Sequence, residues 1–146
     1  MIVKSTMLKS LEIMDCYSLS RRSFATVGTY CRQLQAINFC KCKVNDDEIA
    51  LICKNNPALS DINLSCIESL TSKGFVAVGK NCHELRWVSY EGSKVTDDGM
   101  KYLAENNPNL RYIFLLECFN LTKETGEALA RYCPQVNIDE AEWMKE

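Results

Sequence analysis

Apolar positions along this chain fall into a triplet, L-x-x-h-x-h, that returns at a nearly constant interval. It reads Leu8/Leu11/Ile13, Leu34/Ile37/Phe39, Leu59/Ile62/Leu64, Leu85/Val88/Tyr90 and Leu110/Ile113/Leu115, and a degraded sixth copy begins at Val136 with Ile138. First members are separated by 26, 25, 26, 25 and 26 residues. The later members of each triplet alternate with other residues, which is the period of a half-buried strand. A second pattern runs in phase with the first. A residue suited to capping a helix N-terminus follows each triplet, at Ser20, Asn45, Thr71, Thr96 and Thr122. Behind the caps, apolar residues return at helical spacing: Phe24/Val27, Ile49/Ile52, Phe75/Val78, Met100/Leu103 and, with the first position lost to Gly126, Leu129/Ala130. From each cap to the next first position is 14 residues, so the alternation between 26 and 25 lies in the turn between strand and cap. That is how a loop varies while the strand and helix beside it stay constant.

Each unit thus predicts a short strand, a turn, a helix and a return. One unit cannot bury its apolar edge alone, whereas stacked units share a continuous core and a parallel sheet. The expected fold is an α/β solenoid, a right-handed horseshoe with strands on the concave face and helices on the convex face. Residues 1–146 form one domain, with repeats starting near 8, 34, 59, 85 and 110 and a partial sixth at 136. The length agrees, because a single domain typically has about 100–150 residues.

The units resemble leucine-rich repeats of the cysteine-containing type, whose consensus is roughly C-P-x-L-x-x-L-x-L-x-x-C-x-x-I-T-D-x-G-h-x-x-L-A. Asn107-Pro108-Asn109-Leu110 through Cys118, Leu121 and Thr122 follow it closely, as do Cys82-His83-Glu84-Leu85, Val95-Thr96-Asp97-Asp98-Gly99-Met100 and Leu103-Ala104. The resemblance runs from about Met7 to Ile138. Repeats of this type form the target-recognition half of F-box/leucine-rich-repeat subunits of cullin–RING (SCF-type) ubiquitin ligases, and they are also found in antagonist-of-mitotic-exit-network proteins, which lack an F-box. An F-box needs a few dozen helical residues ahead of the repeats, and only Met1 to Thr6 stand there. The resemblance therefore implies a module that holds a target, with ubiquitin-ligase components as expected partners. A structural subunit or assembly factor held in a larger complex is the alternative expectation.

Composition agrees with a soluble globular protein: 47% of residues are hydrophobic and 25% charged. The longest apolar run, Tyr112–Leu116, falls far short of the roughly 20 residues that span a bilayer, and no signal-peptide core follows Met1. A net charge of −2 gives no electrostatic reason to expect nucleic acid or an anionic membrane. The nine cysteines are odd in number and too sparse for a disulfide scaffold, so reduced thiols and a cytoplasmic or nuclear setting are expected.

Those cysteines recur with the repeat. Cys16, Cys42 and Cys118 share one position, where Ile67 (beside Cys66) and Ser93 stand in the other units. Cys31, Cys82 and Cys133 share another, which Asn56 and Asn107 hold in the units between. This recurrence predicts small buried side chains packed under the next strand. A zinc site would start from Cys40, Cys42 and Cys66 or Cys82-His83, but zinc needs four converging ligands and no paired knuckles occur. His83 stands where neighbouring units have Pro57 and Pro108, which suggests a surface turn. No third group orients a Cys82–His83 pair for nucleophilic chemistry. Gly74, Gly99 and Gly126 follow helix caps and form no phosphate loop. Asp46, Asp47, Asp97 and Asp98 suit the first turn of a helix. No enzyme and no cofactor are expected.

Binding is expected on the concave face. If the triplet residues face the core, their neighbours in each strand face the solvent. Those neighbours are Ser10, Glu12 and Met14, then Ala36, Asn38 and Cys40, then Asp61, Asn63 and Ser65. Trp87, Ser89 and Glu91 follow, and then Tyr112, Phe114 and Leu116. The last two rows set Trp87, Tyr112, Phe114 and Leu116 side by side, the residue types of protein-interaction hot spots. Glu12, Asp61 and Glu91 favour a basic neighbour. The patch could equally be covered by Glu140–Met144 or form a homodimer contact. At the ends of the solenoid, Ile2, Val3 and Met7 are the thin cover expected at one side, and Trp143 and Met144 at the other.

Overall fold

A computed structural model describes residues 7–92 and 94–139 of the chain. Strands and helices alternate without exception: β1 (Ser10–Glu12), α1 (Arg21–Tyr30), β2 (Ala36–Asn38), α2 (Asp46–Asn55), β3 (Asp61–Asn63), α3 (Ser72–Asn81), β4 (Trp87–Glu91), α4 (Asp97–Glu105), β5 (Tyr112–Leu116), α5 (Lys123–Tyr132) and β6 (Asn137–Ile138). The strands form one parallel sheet in chain order, and each helix packs on the next. Among the described residues no helix is long and apolar enough to cross a membrane.

Sheet register follows the interval of the apolar triplets. Ser10 pairs with Ala36, Ala36 with Asp61, Asp61 with Trp87 and Trp87 with Tyr112. The last step is shorter than the sequence spacing suggests, since Tyr112 pairs with Asn137 and Ile113 with Ile138. The Val136 N–H still donates to the Cys133 carbonyl at 3.0 Å, as Leu59 and Leu110 donate to Asn56 and Asn107. One residue is therefore taken up between that turn and β6.

Helices begin at the expected positions, and the side chains of Asn45, Thr71 and Thr122 cap them, whereas those of Ser20 and Thr96 accept no cap hydrogen bond. Ser20, Asn45, Thr71, Thr96 and Thr122 each precede a helix with extended backbone angles. An apolar residue stands just before each cap, and Val44, Leu70, Val95 and Leu121 among these are buried. Such a residue closes the helix entry against the core. The inward face of α5 differs from expectation: Thr125, Ala128 and Leu129 are buried, and Ala130 is exposed. Thr125, one residue before Gly126, stands where Glu48, Gly74 and Gly99 are buried in the preceding helices, and its hydroxyl finds a partner in Asp97.

That contact belongs to a relay between helix N-termini. The Asp46 carboxylate, at the start of α2, accepts the Thr71 N–H (2.9 Å), the Thr71 hydroxyl (2.7 Å) and the Gly74 N–H (3.0 Å). Asp97, at the start of α4, accepts the Thr122 N–H (2.9 Å) and hydroxyl (2.8 Å) and the Thr125 hydroxyl. In the repeat between them, the Ser72 hydroxyl accepts the Thr96 N–H at 2.9 Å. Orphan donors of one helix are thus met by the repeat before it. Arg21 completes the series by donating to Glu48, which itself accepts the Asn45 N–H in a capping box.

Burial works to raise the Asp97 pKa, but the hydrogen bonds from Thr122 and Thr125 outweigh it and hold the group below its usual 3.8. A carboxylate with a depressed folded pKa contributes stability above the unfolded value and loses it as pH falls. The stability difference between wild type and Asp97→Asn should therefore be present at neutral pH and shrink below pH 3.8. Urea titrations across that range test this; a difference independent of pH would overturn it.

The core runs the length of the solenoid. Triplet residues from Leu34 to Leu115 are at most 3% exposed, and the rings of Phe24 and Phe39 (5.2 Å) and of Phe75 and Tyr90 (4.9 Å) meet edge to face within it. Of the recurring cysteines, Cys31, Cys42, Cys82, Cys118 and Cys133 are buried as expected, whereas Cys16 in the first repeat is half-buried, and the thiols of Cys42, Cys82 and Cys133 turn to the repeat before them and not to the next strand. The Cys42 thiol points to the Ile13 carbonyl (3.0 Å), Cys118 to Leu116 (3.2 Å) and Cys133 to Asn107 (3.2 Å). Burial pushes the thiols of Cys118 and Cys133 up to about 11, which keeps them protonated and available as donors. Ile67 takes the repeat's cysteine position in the third unit and is buried, while Cys66 beside it is half-buried.

Candidate functional site

β4 and β5 have five residues each, against three in β1, β2 and β3, so the concave face is best formed in the fourth and fifth repeats. Its alternation there is clear. In β5, Ile113 and Leu115 are buried, whereas Tyr112 and Leu116 are 50% and 47% exposed. The register places Trp87 beside Tyr112, Ser89 beside Phe114 and Glu91 beside Leu116. Trp87 and Phe114 are diagonal neighbours, and their rings lie 5.7 Å apart, tilted by 48°. Diagonal aromatic contacts of this kind are within reach on one face of a sheet. The four residues singled out from the sequence are therefore brought together, with Trp87 and Phe114 half-buried at the centre.

The three carboxylates are more widely spread. Asp61 is exposed and directly beside Trp87 in register, where it accepts the Ser60 hydroxyl. Glu91 is half-buried at the far end of β4, beside Leu116. Glu12 is exposed on β1, three strands from the aromatic patch. Among the described residues none of the three forms an ion pair. One expected solvent-facing residue is not exposed: Ser65 is 7% exposed, because its hydroxyl meets that of Ser89 at 3.1 Å. Glu140–Met144, Ile2 and Val3 lie outside the described residues, and Met7 is 72% exposed and covers nothing.

Beside Glu91 the strands' C-terminal rim opens into a cavity of about 690 Å³, lined by Lys41, Cys66, Glu68, Tyr90 and Lys94 among others. This feature was not legible in the triplets. It is shaped by a left-handed residue in the turn after each strand: Asp15, Lys41, Cys66 and Glu117 have φ between 49° and 57°. Gly92 holds the same place in the fourth repeat, where an added Cβ would come within 2.7 Å of the Tyr90 hydroxyl. The cavity's charges are largely spoken for. Lys41 lies 3.7 Å from Asp15, and the Lys94 ammonium donates to the Glu68 carbonyl. Burial, and then Glu91, push the Cys66 thiol up to about 11.

The residues weighed for metal or nucleophilic chemistry do not converge. Cys82 is fully buried on the return side, near the Cys53 and Asn56 carbonyls, whereas His83 is exposed with Nδ1 3.4 Å from the Asn106 carbonyl. Among the described residues no three His, Cys, Asp or Glu side chains gather as metal ligands would.

No family model matches the chain. Curated proteins do, two of them from Arabidopsis thaliana. The F-box protein FBX14 is 27% identical over 71 residues, which is 49% of this chain and 11% of that protein. The putative F-box/LRR-repeat protein 23 is 23% identical over 124 residues, which is 81% of this chain and 28% of that protein. The chain thus spans a small part of either. Among solved structures, Rad7 in complex with Elc1 from yeast superimposes with a TM-score of 0.78 at 18% identity, over 93% of this chain and 37% of that one. This chain has the leucine-rich-repeat fold and is similar to part of an F-box/LRR-repeat protein. The actin-binding site 2 fragment of leiomodin-1 (TM-score 0.68, 12% identity, 90% of this chain and 82% of that one) shares the repeat fold. So does the tropomodulin C-terminal domain of Caenorhabditis elegans (TM-score 0.63, 11% identity, 90% of this chain and 86% of that one).

Proposed function

We propose that this leucine-rich-repeat protein is a non-catalytic interaction module that holds a protein or peptide on its concave face, as target recognition for an SCF-type ubiquitin ligase. The observation that carries the reading is the cluster of Trp87, Tyr112, Phe114 and Leu116 on β4 and β5, two of them about half exposed. Aromatic rings set together on open sheet cost solubility unless a partner covers them, and Trp and Tyr dominate such contacts. The ligase assignment is supported by the F-box names of both curated relatives. The half-buried state of Trp87 and Phe114 above a closed core means that truncating them removes contact surface and leaves the fold intact.

Affinity purification and mass spectrometry from the native cell, run beside the Trp87→Ala/Phe114→Ala variant, test this. Ligase components or a client retained by wild type and lost from a folded variant are expected, with a loss of at least about 100-fold in affinity for two hot-spot residues. Unchanged recovery of every partner would overturn the reading.

One observation favours a second reading, a structural subunit of a larger assembly. In the first repeat Leu8, Leu11, Ile13, Leu19 and Val27 are only partly buried, whereas their counterparts in the second, Leu34, Ile37, Phe39, Val44 and Ile52, are at most 3% exposed. A set of subunits retained equally by wild type and variant would support that reading.

A further inference from the structure

The concave face is one-sided in charge. The positions that β1–β5 and their extensions present there include Glu12, Asp61 and Glu91, and none is lysine or arginine, although the chain holds 17 lysines and arginines and has a net charge of only −2. Arg86 and Arg111 stand exposed just ahead of β4 and β5, and neither is ion-paired to Asp61 or Glu91. Among the described residues, the carboxylates on the face therefore form no ion pair.

One of them is placed to act with an aromatic ring. The register runs Asp61, Trp87, Tyr112 across three adjacent strands, spaced by about 4.8 Å each. Phe114 braces the indole at 5.7 Å, and the half-buried Trp87 keeps part of its surface open. Trp is the strongest aromatic acceptor of a cation, and a carboxylate one strand away adds direct pairing. An acidic side chain here would meet Asp61 of like sign. A purely apolar one would strip water from Asp61 without replacing its hydrogen bonds.

We propose that the partner anchors a cationic side chain on the Trp87 ring against the Asp61 carboxylate. Arginine fits best, because its planar guanidinium stacks on the indole while its fork of N–H donors meets the carboxylate. The inference rests on the concave face being the docking surface, and it names the chemistry that this surface selects.

A displayed library of random peptides, selected on the purified chain and re-tested on Trp87→Ala, Asp61→Asn and Asp61→Lys, decides the matter. Asp61 is exposed, so both of its variants should keep the fold, which circular dichroism checks. Selected peptides are expected to be enriched in arginine or lysine, to bind Asp61→Asn about fivefold more weakly, and to be lost on Asp61→Lys and Trp87→Ala. Peptides lost on Trp87→Ala yet neither basic nor sensitive to Asp61→Lys would overturn the cationic anchor and leave concave docking standing. Peptides indifferent to Trp87→Ala, or no enrichment at all, would overturn both.

Discussion

Replacing Asn56 with alanine should destabilise the protein by about 2–4 kcal/mol, as much as truncating a buried leucine. The amide is fully buried and serves three backbone groups, two on the return from α1 and one in α2. Its Oδ1 accepts the Leu34 N–H at 2.8 Å, and its Nδ2 donates to the carbonyls of Cys31 and Ile52, each at 2.9 Å. Alanine leaves all three groups without a partner in a site closed to solvent, and each buried unsatisfied group costs about 1–3 kcal/mol. A water admitted to the vacated volume recovers part of that, which sets the upper bound below the simple sum. Asn107 holds the same position two repeats on, with the Leu85 N–H (3.1 Å) and the Leu103 carbonyl (3.1 Å) as partners, and should cost less. Cys133→Ala should cost least, about 1 kcal/mol, since a thiol donates only weakly. Urea denaturation of the three variants tests the order. An Asn56→Ala loss no larger than that of Cys133→Ala would mean that the amide is not the tie the geometry describes.

The alternation of cysteine and asparagine at this position also shows where reading the sequence succeeded and where it stopped. The positions were visible as a recurrence, and their burial followed from it. Their division of labour was not visible, because it depends on contacts between residues distant in the chain. Asn56 reaches back to Leu34 at the start of its own repeat and to Cys31 in the repeat before, and Asn107 reaches back to Leu85 at the start of its own. A polar residue alternating with a small apolar one at a buried site was the available signal. The caps were legible for a different reason: a cap is set by local backbone geometry, and the interval to the next strand is constant.

Asp46 and Asp97 fall between these cases. Their place in the first turn of a helix suits the helix dipole, which is a local argument. Their larger role, capping the following helix through Thr71 and Thr122, is again a contact between repeats. The left-handed turn after each strand was hidden because only Gly92 marks it, whereas Asp15, Lys41, Cys66 and Glu117 carry side chains at positive φ. The concave residues, by contrast, followed directly from strand alternation, and the register brought Trp87 and Phe114 into ring contact. The sixth copy keeps Ile138 as its apolar strand residue, paired with Ile113, but reaches it one residue sooner after Val136 than the other triplets do.

Gly79→Val should cost about 2–3 kcal/mol through overpacking between α3 and α4. A Cβ at Gly79 would lie 3.1 Å from the Leu103 Cα, 3.1 Å from the Tyr102 carbonyl oxygen and 3.0 Å from the Tyr102 ring. Two of these three contacts are backbone, so no rotamer change relieves them, and the helices must separate. In a solenoid that separation cannot be absorbed locally, because each repeat's core is closed by its neighbours: Val78 and Leu103, beside the contact, are at most 1% exposed. Valine's branched carbon adds its own crowding within the helix. Gly79→Ala separates the two effects. Its single methyl meets the same backbone but gains about 1 kcal/mol of helix propensity over glycine, so it should stay close to wild type. Thermal and urea denaturation of both variants give the comparison. A valine variant as stable as the alanine one would show that α3 and α4 yield without loosening the core, and that the close approach at Gly79 is incidental to the fold.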